Sequence, residues 1–446
     1  MGSVLKIALP VILSFLGSML LMTVDLIFVG KLGALPIAAV GLGGATHAGF
    51  FVFGLGLLTG LEFLTAREVG AGKPDQSFNY WIQGVWVALV LSVVLILGQN
   101  LAALGYRAFG VAPELVVPTQ EYVFWISFST LPSLLLILGR IYLQAHSRVI
   151  APLVVSLIAN VLNYFLNKIW VEGAWGFQSL GLIGSAYATT VARVLSAILL
   201  MGWVAVFERR RLRASGRSAT WKLRMPDFPM WREILILGIP SGFQMGLEVG
   251  VFALGTALAG KISTVALAAH QIVLNVASLT FMVPLGLGSA GAVLVGHQIG
   301  RRDFALARRQ GYRIVGLAVG FMAMSAVFLS VFSGWVFGIF TTDFSVIQLG
   351  RKLIFLAAIF QLSDGIQVST TGTLRGIGDT RSSMWANMAG HWVFGIPLGS
   401  YLAFSLGQGV EGLWVGFVAG LTLVAITLII QWDRKSRVSA LKLSGG

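Results

Sequence analysis

Long apolar stretches recur along almost the whole chain, about every 37 residues, the length of one ~20-residue membrane-crossing helix plus a connection. They predict twelve helices, over residues 4–30, 36–66, 79–104, 116–143, 150–171, 180–206, 232–258, 265–297, 310–338, 345–374, 384–405 and 412–431. Glycine is frequent inside these spans, as expected where helices approach closely with no hydrophobic force between them. The first span is too long for the apolar core of a signal peptide, lacks a small-residue cleavage site and contains Asp25, so it is expected to be retained as a helix.

Sliding the second half of the chain over the first reveals an internal repeat. At an offset of 230, Pro10 meets Pro240, Gly30 meets Gly260, Lys31 meets Lys261, Ala38 and Ala39 meet Ala268 and Ala269, Gly56 meets Gly286, and Gly70 meets Gly300. Further on, Leu143 meets Leu374 at an offset of 231. An even number of helices separates the copies, so both enter the membrane in the same direction, related by an axis along the membrane normal. The expected fold is an all-α membrane protein of twelve transmembrane helices in two pseudo-symmetric six-helix bundles. The first bundle is expected over residues 1–206 and the second over 232–432. A basic cytoplasmic linker over 207–231, with Pro226 and Pro229, joins them, and 433–446 form a cytoplasmic tail. Such a duplication places a substrate cavity between the halves, open alternately to each side.

Composition agrees with this class. Hydrophobic residues make up 57% and charged residues 11%, with a mean hydropathy of +0.86, whereas a soluble domain carries about 25% charge. With the N-terminus inside, alternating the loops leaves only Lys31, Arg107, Lys168, Lys261, Arg351 and Lys352 outside and Arg193 within a span; the rest of the 31 basic residues fall on the cytoplasmic side. The expected location is therefore the inner (cytoplasmic) membrane, multi-pass, with both termini cytoplasmic. The net charge of +14 is a signal of topology and of contact with lipid headgroups, and assigns no nucleic-acid partner. With no cysteine there is no disulfide framework, thiolate metal site or thiol nucleophile.

A charged group near the centre of a span costs about 2.5–3.5 kcal/mol or more, so acids there need a reason. Asp25 lies in the first span, Glu248 in the seventh and Asp364 in the tenth. The repeat pairs Asp25 with Gly255 and Glu248 with Ser18, so each half holds its own kind of site. Helical spacing puts Ser241, Gln244 and Glu248 on one stripe; Gln271, Asn275 and Ser278 share another, and Gln361, Asp364 and Thr371 a third. Carboxylates gathered with neutral oxygens suit a small hard cation, which makes Glu248 and Asp364 a candidate Na⁺ site. In the first half Ser14, Ser18 and Asp25 align, as do Ser156, Asn160, Asn163 and Asn167, with Thr189 available on the sixth span. Desolvation among neutral amides penalises the charged form of a carboxyl group, which suits a proton carrier. Pro10 removes a backbone hydrogen bond from the first span and is a candidate hinge. The coupling ion is thus expected to be Na⁺, H⁺ or both, with no cofactor.

Plainer roles compete with these. Arg193 shares a stripe with Ser185, Thr189 and Ser196, and either compensates Asp25 or snorkels outward. Asn163 and Asn167 also suit interhelical hydrogen bonding, while Glu62 and Glu121 lie near span ends, where an interfacial position is expected. The five histidines lack the HExxH spacing of a zinc helix, and Gly54, Gly56 and Gly60 lie in an apolar helix with no preceding strand. No GxxxxGK[ST] sequence occurs. Neither an enzyme nor an ATP-driven pump is expected, which leaves an ion gradient as the energy source.

Several of these runs resemble a known family. Gly238, Pro240 and Glu248, followed by the run from Val265 through His270 to Asn275 and that from Phe281 through Pro284 to Gly300, look like the seventh and eighth helices of the multidrug and toxic compound extrusion (MATE) family, NorM-like branch. The tenth-span run from Gln361 through Asp364 to Gln367, ending in Leu374, Arg375, Gly376 and Asp379, is similar too. So are Thr23, Asp25, Gly30 and Gly33, and Asn163, Asn167 and Gly173 with Gly184, Ala188 and Thr189. The resemblance covers essentially the whole chain. It implies a V-shaped pair of bundles exporting amphipathic cationic drugs and dyes by antiport with Na⁺ or H⁺; separately, the chain is expected to act as a monomer. It carries over Asp25 as the first-bundle carboxylate, Asn163, Asn167 and Thr189 as its neighbours, and Glu248 and Asp364 as cation-site acids; Arg193 is outside the family's motif. The alternative, a lipid-linked precursor flippase of related architecture, calls for a basic cavity, against which the shortage of mid-span Lys and Arg argues.

Overall fold

The computed structural model describes residues 2–108, 110–216 and 224–441; residues 217–223 of the expected linker and 442–446 of the expected tail lie outside the described residues. The first part of the chain forms α1 (Gly2–Gly30), α2 (Ala34–Gly70), α3 (Pro74–Leu104), α4 (Pro113–Ser127), α5 (Thr130–Ala145), α6 (Ile150–Trp170) and α7 (Gly181–Ala214). The second part forms α8 (Phe228–Ile262), α9 (Thr264–Gly300), α10 (Phe304–Val331), α11 (Ser333–Phe340), α12 (Phe344–Arg375), α13 (Arg381–Asn387), α14 (Ile396–Ser400) and α15 (Gly409–Leu441). Their starts follow local chemistry. Pro74 opens α3, where its missing N–H is no loss, and the Ser263 hydroxyl accepts from the Ala266 N–H at 3.0 Å to cap α9. Asp303 and Asp343 cap α10 and α12 in the same way.

Among the described residues ten helices are long and apolar enough to cross a membrane, and an eleventh results if α4 and α5, bent by 40° at their junction, count as one span. The remaining expected span, 384–405, eleventh in chain order, is helical but interrupted: π turns over Met388–Gly395 and Tyr401–Ser405 flank α14. Pro397 supplies no N–H there, so the regular hydrogen-bond ladder has to slip. The outer face of α3 shows why these helices belong in lipid. Val90, Val93, Val94, Leu97, Leu101 and Leu104 recur at helical spacing and are each more than half exposed.

The chain divides into two compact units that are not contiguous segments. The C-terminal unit comprises Met1–Ile12, Glu62–Gly72 and Ile239–Gly446; the N-terminal unit comprises Leu13–Leu61 and Lys73–Gly238. In the C-terminal unit α12 packs against α9, α10 and α15, and in the N-terminal unit α7 packs against α4, α5 and α6. The described end of the linker is fastened within the N-terminal unit. The Gln83 side chain on α3 donates to the Met225 carbonyl and accepts from the Asp227 N–H and the Trp231 indole, at 3.0, 2.9 and 2.8 Å. Trp86 donates to the Arg224 carbonyl at 3.0 Å, and the Tyr80 hydroxyl donates to Glu233 at 2.6 Å.

The repeat seen in the sequence leaves a direct trace in the C-terminal unit. A Cβ added at Gly70 would stand 2.2 Å from the carbonyl oxygen of His297, and one added at Gly300 would stand 2.1 Å from that of Arg67. Gly70 and Gly300 are equivalent in the repeat, as are Arg67 and His297, so the ends of α2 and α9 cross in backbone contact by the same device used twice.

Candidate functional site

In the N-terminal unit α6 presents its polar stripe to α1, residue by residue. Ser156 donates to the Ser14 carbonyl at 3.4 Å and Asn160 to the Gly17 carbonyl at 2.8 Å. Two turns further, the side-chain amides of Asn163 and Asn167 both donate to Oδ1 of Asp25, at 2.9 and 2.7 Å. The Thr189 hydroxyl, from α7, donates to Oδ2. All four side chains are buried, and every one of these donors is neutral. Neutral donors orient and solvate a carboxylate without cancelling its charge, so a proton or a cation remains able to do so. The side-chain carbonyl oxygens of Asn163 and Asn167 are buried without a hydrogen-bond partner. The helix α1 itself runs unbroken through Pro10.

The second cluster lies in the C-terminal unit. Gln244, one turn before Glu248 on α8, donates to its Oε2 at 2.7 Å, and Gln367 on α12 reaches the same oxygen at 3.5 Å. Asp364, buried on α12, stands within electrostatic range of Glu248. Gln361 donates to Thr280 at 3.1 Å. The side-chain carbonyl oxygens of Gln361 and Gln367 and the Thr371 hydroxyl, all on one stripe of α12 with Asp364, are buried without partners. Gln271 and Asn275 are exposed and, among the described residues, take no part in a side-chain hydrogen bond. Helical spacing puts them on one face of α9 and says nothing of what that face meets. Gln367 joins the cluster instead, and its place three residues after Asp364 was the available signal.

Two residues with competing expected roles have defined partners. Glu62 is buried within the protein, 1% exposed and ion-paired with Arg375 at 2.8 Å. The helix α2 that carries it continues to Gly70, beyond the predicted end at 66. Arg193 turns inward and does not snorkel. Its guanidinium donates to the Ser129 hydroxyl at 2.8 Å and to His47 Nε2 at 3.2 Å. Each of these partners comes from a different part of the chain, so no periodicity along one helix announced them.

The comparisons with known proteins agree over nearly the full length. A protein of Bradyrhizobium diazoefficiens described as a probable multidrug resistance protein NorM is 33% identical over 442 residues, covering 97% of this chain and 93% of its own. The multidrug resistance protein NorM of Burkholderia vietnamiensis is 34% identical over 441 residues, with the same coverage. Among solved structures, the eukaryotic MATE transporter AtDTX14 superposes with a TM-score of 0.87 at 21% identity, covering 98% of both chains, and so shares the fold. A profile of the MatE family matches residues 10–169 and 240–401, two stretches that correspond to the two copies of the repeat. With full-length relatives above 30% identity and both copies matched, the chain belongs to the MatE family.

Proposed function

We propose that this chain is a multidrug efflux transporter, not an enzyme, which exports organic cations and amphipathic drugs in exchange for Na⁺, H⁺ or both. The observation that carries the reading is the pair of buried acid clusters whose hydrogen-bond partners are all neutral. A buried carboxylate with no ion-pair partner is costly in a membrane interior, so each cluster favours taking up a positive charge. A small ion and a cationic drug compete for that charge, and the competition couples their flows.

The chemistry of the two clusters suggests a division of labour. In the C-terminal unit, Glu248 and Asp364 with the unpartnered oxygens of Gln361, Gln367 and Thr371 offer the all-oxygen surroundings preferred by a hard cation such as Na⁺. In the N-terminal unit, Asp25 held by Asn163, Asn167 and Thr189 suits a proton. The lopsided placement of basic residues along the sequence supports insertion in the bacterial inner membrane with both termini in the cytoplasm, and basic loops in contact with lipid headgroups. The proposed working form is the monomer.

The test is dye efflux from proteoliposomes under an imposed Na⁺ gradient and, separately, an imposed pH gradient. Antiport predicts efflux driven by at least one of them, lost in Asp25→Asn or in Glu248→Gln. Efflux indifferent to both gradients, or unchanged in both variants, overturns the coupling.

A further inference from the structure

The N-terminal unit contains a positive charge that the proposed exchange has not yet used. Arg193 follows Thr189 by one helical turn on α7, and Thr189 is the residue that binds Oδ2 of Asp25. The guanidinium lies within electrostatic range of both Asp25 and Tyr122, yet among the described residues it forms no ion pair. It is held at a distance. Ser129, at the junction of α4 and α5, accepts from it, and so does Nε2 of His47 on α2.

An arginine has no acceptor, so His47 must present a bare Nε2 to it and carry its proton on Nδ1. That proton is then donated to Oε1 of Gln99 at 2.9 Å, and the Gln99 amide donates onward to Thr130 at 3.2 Å. Every member of the chain from Arg193 to Thr130 has its donor and acceptor role fixed. A second proton on His47 would set two N–H groups against each other. The network therefore keeps His47 neutral, and among the described residues the guanidinium is the permanent positive charge beside Asp25.

We propose that Arg193 is the positioning residue that turns neutralisation of Asp25 into expulsion of a cationic substrate. With Asp25 ionised, the two charges balance across a gap and the interior of the unit is close to neutral, so an organic cation is tolerated near the carboxylate. When a proton or Na⁺ neutralises Asp25, the guanidinium remains and the same interior carries a net positive charge. In a low-dielectric setting that charge repels a bound cation and leaves an uncharged molecule unaffected. Neutralisation then does more than remove a binding partner, because it leaves a repulsion in its place.

This inference rests on the efflux reading, and the experiment separates the two. Efflux of a permanently cationic dye and of an uncharged dye is measured in proteoliposomes for the intact protein, Arg193→Gln and Arg193→Lys. The expected result is that Arg193→Gln lowers kcat and KM together for the cationic dye, about tenfold or more, leaves the uncharged dye within about twofold, and is rescued by Arg193→Lys. Equal losses for both dyes, or no loss for either, overturn the proposal. Failure of the intact protein to move either dye overturns the efflux reading instead.

Discussion

Glu62 of α2 and Arg375 of α12, 313 positions apart in the chain, meet in a buried ion pair at 2.8 Å, and the Ser289 hydroxyl of α9 donates to the other oxygen of Glu62 at 2.8 Å. Three helices of the C-terminal unit are thereby tied at one point. The repeat leaves Glu62 opposite Ala292 and Arg375 opposite Gln144, so the tie exists in one copy only.

Breaking such a pair from one side leaves the remaining charge buried and unpaired. Glu62→Gln is expected to destabilise the C-terminal unit by about 3–5 kcal/mol, and a second change, Arg375→Met, to recover much of that loss, because apolar replacement of both partners is far milder. Thermal unfolding in detergent reads both. A melting temperature unmoved by Glu62→Gln would show that the pair does not hold the helices.

The glycine crossing of α2 and α9 makes a steric prediction that needs no electrostatics. Gly70→Ala and Gly300→Ala each push a methyl group against a backbone carbonyl, at 2.2 and 2.1 Å before relaxation, and backbone cannot swing aside as a side chain does. Both are expected to lower the yield of folded protein sharply. Gly316→Ala on α10, which meets nothing within 4 Å, is the control and should be tolerated. Size-exclusion profiles of the three variants decide it.

Asn163 and Asn167 share one oxygen of Asp25, so their contributions should not add. A hydrogen bond to a charged group contributes about 1.5–3 kcal/mol. Asn163→Ala and Asn167→Ala are each expected to slow efflux about tenfold or more, while the double variant falls little below the worse single one. Transport rates at saturating dye test this, and strictly multiplicative losses would show that the two amides act independently of Asp25.

How far the sequence spoke depended on whether a signal was periodic. The stripe Ser156, Asn160, Asn163, Asn167 was readable because all four lie on one helix at helical spacing, and Gln244 with Glu248 was readable for the same reason. Periodicity identifies the residues that share a face and is silent about what the face touches, so the common face of Gln271 and Asn275 does not place them at an acid. Contacts assembled from single residues on distant helices had no signature. Glu62 with Arg375, and Arg193 with His47 and Ser129, are of this kind.

The unpartnered oxygens on the Asp364 stripe of α12 carry the last prediction. On α12 the side-chain carbonyl oxygens of Gln361 and Gln367 and the hydroxyl of Thr371 are buried without partners, an arrangement that is unfavourable unless something positive is drawn to them. If that is Na⁺, then Gln367→Leu removes one ligand oxygen and also the amide that reaches Glu248, while both carboxyl groups stay in place. The Na⁺ concentration for half-maximal efflux should then rise about tenfold, equivalent to ~1.4 kcal/mol of lost binding. Efflux driven by a pH gradient should change less than about twofold, because a proton needs a carboxylate and not a cage of oxygens. Equal loss under the two gradients would mean that Gln367 supports the fold or the drug path and that Na⁺ has no site on this stripe.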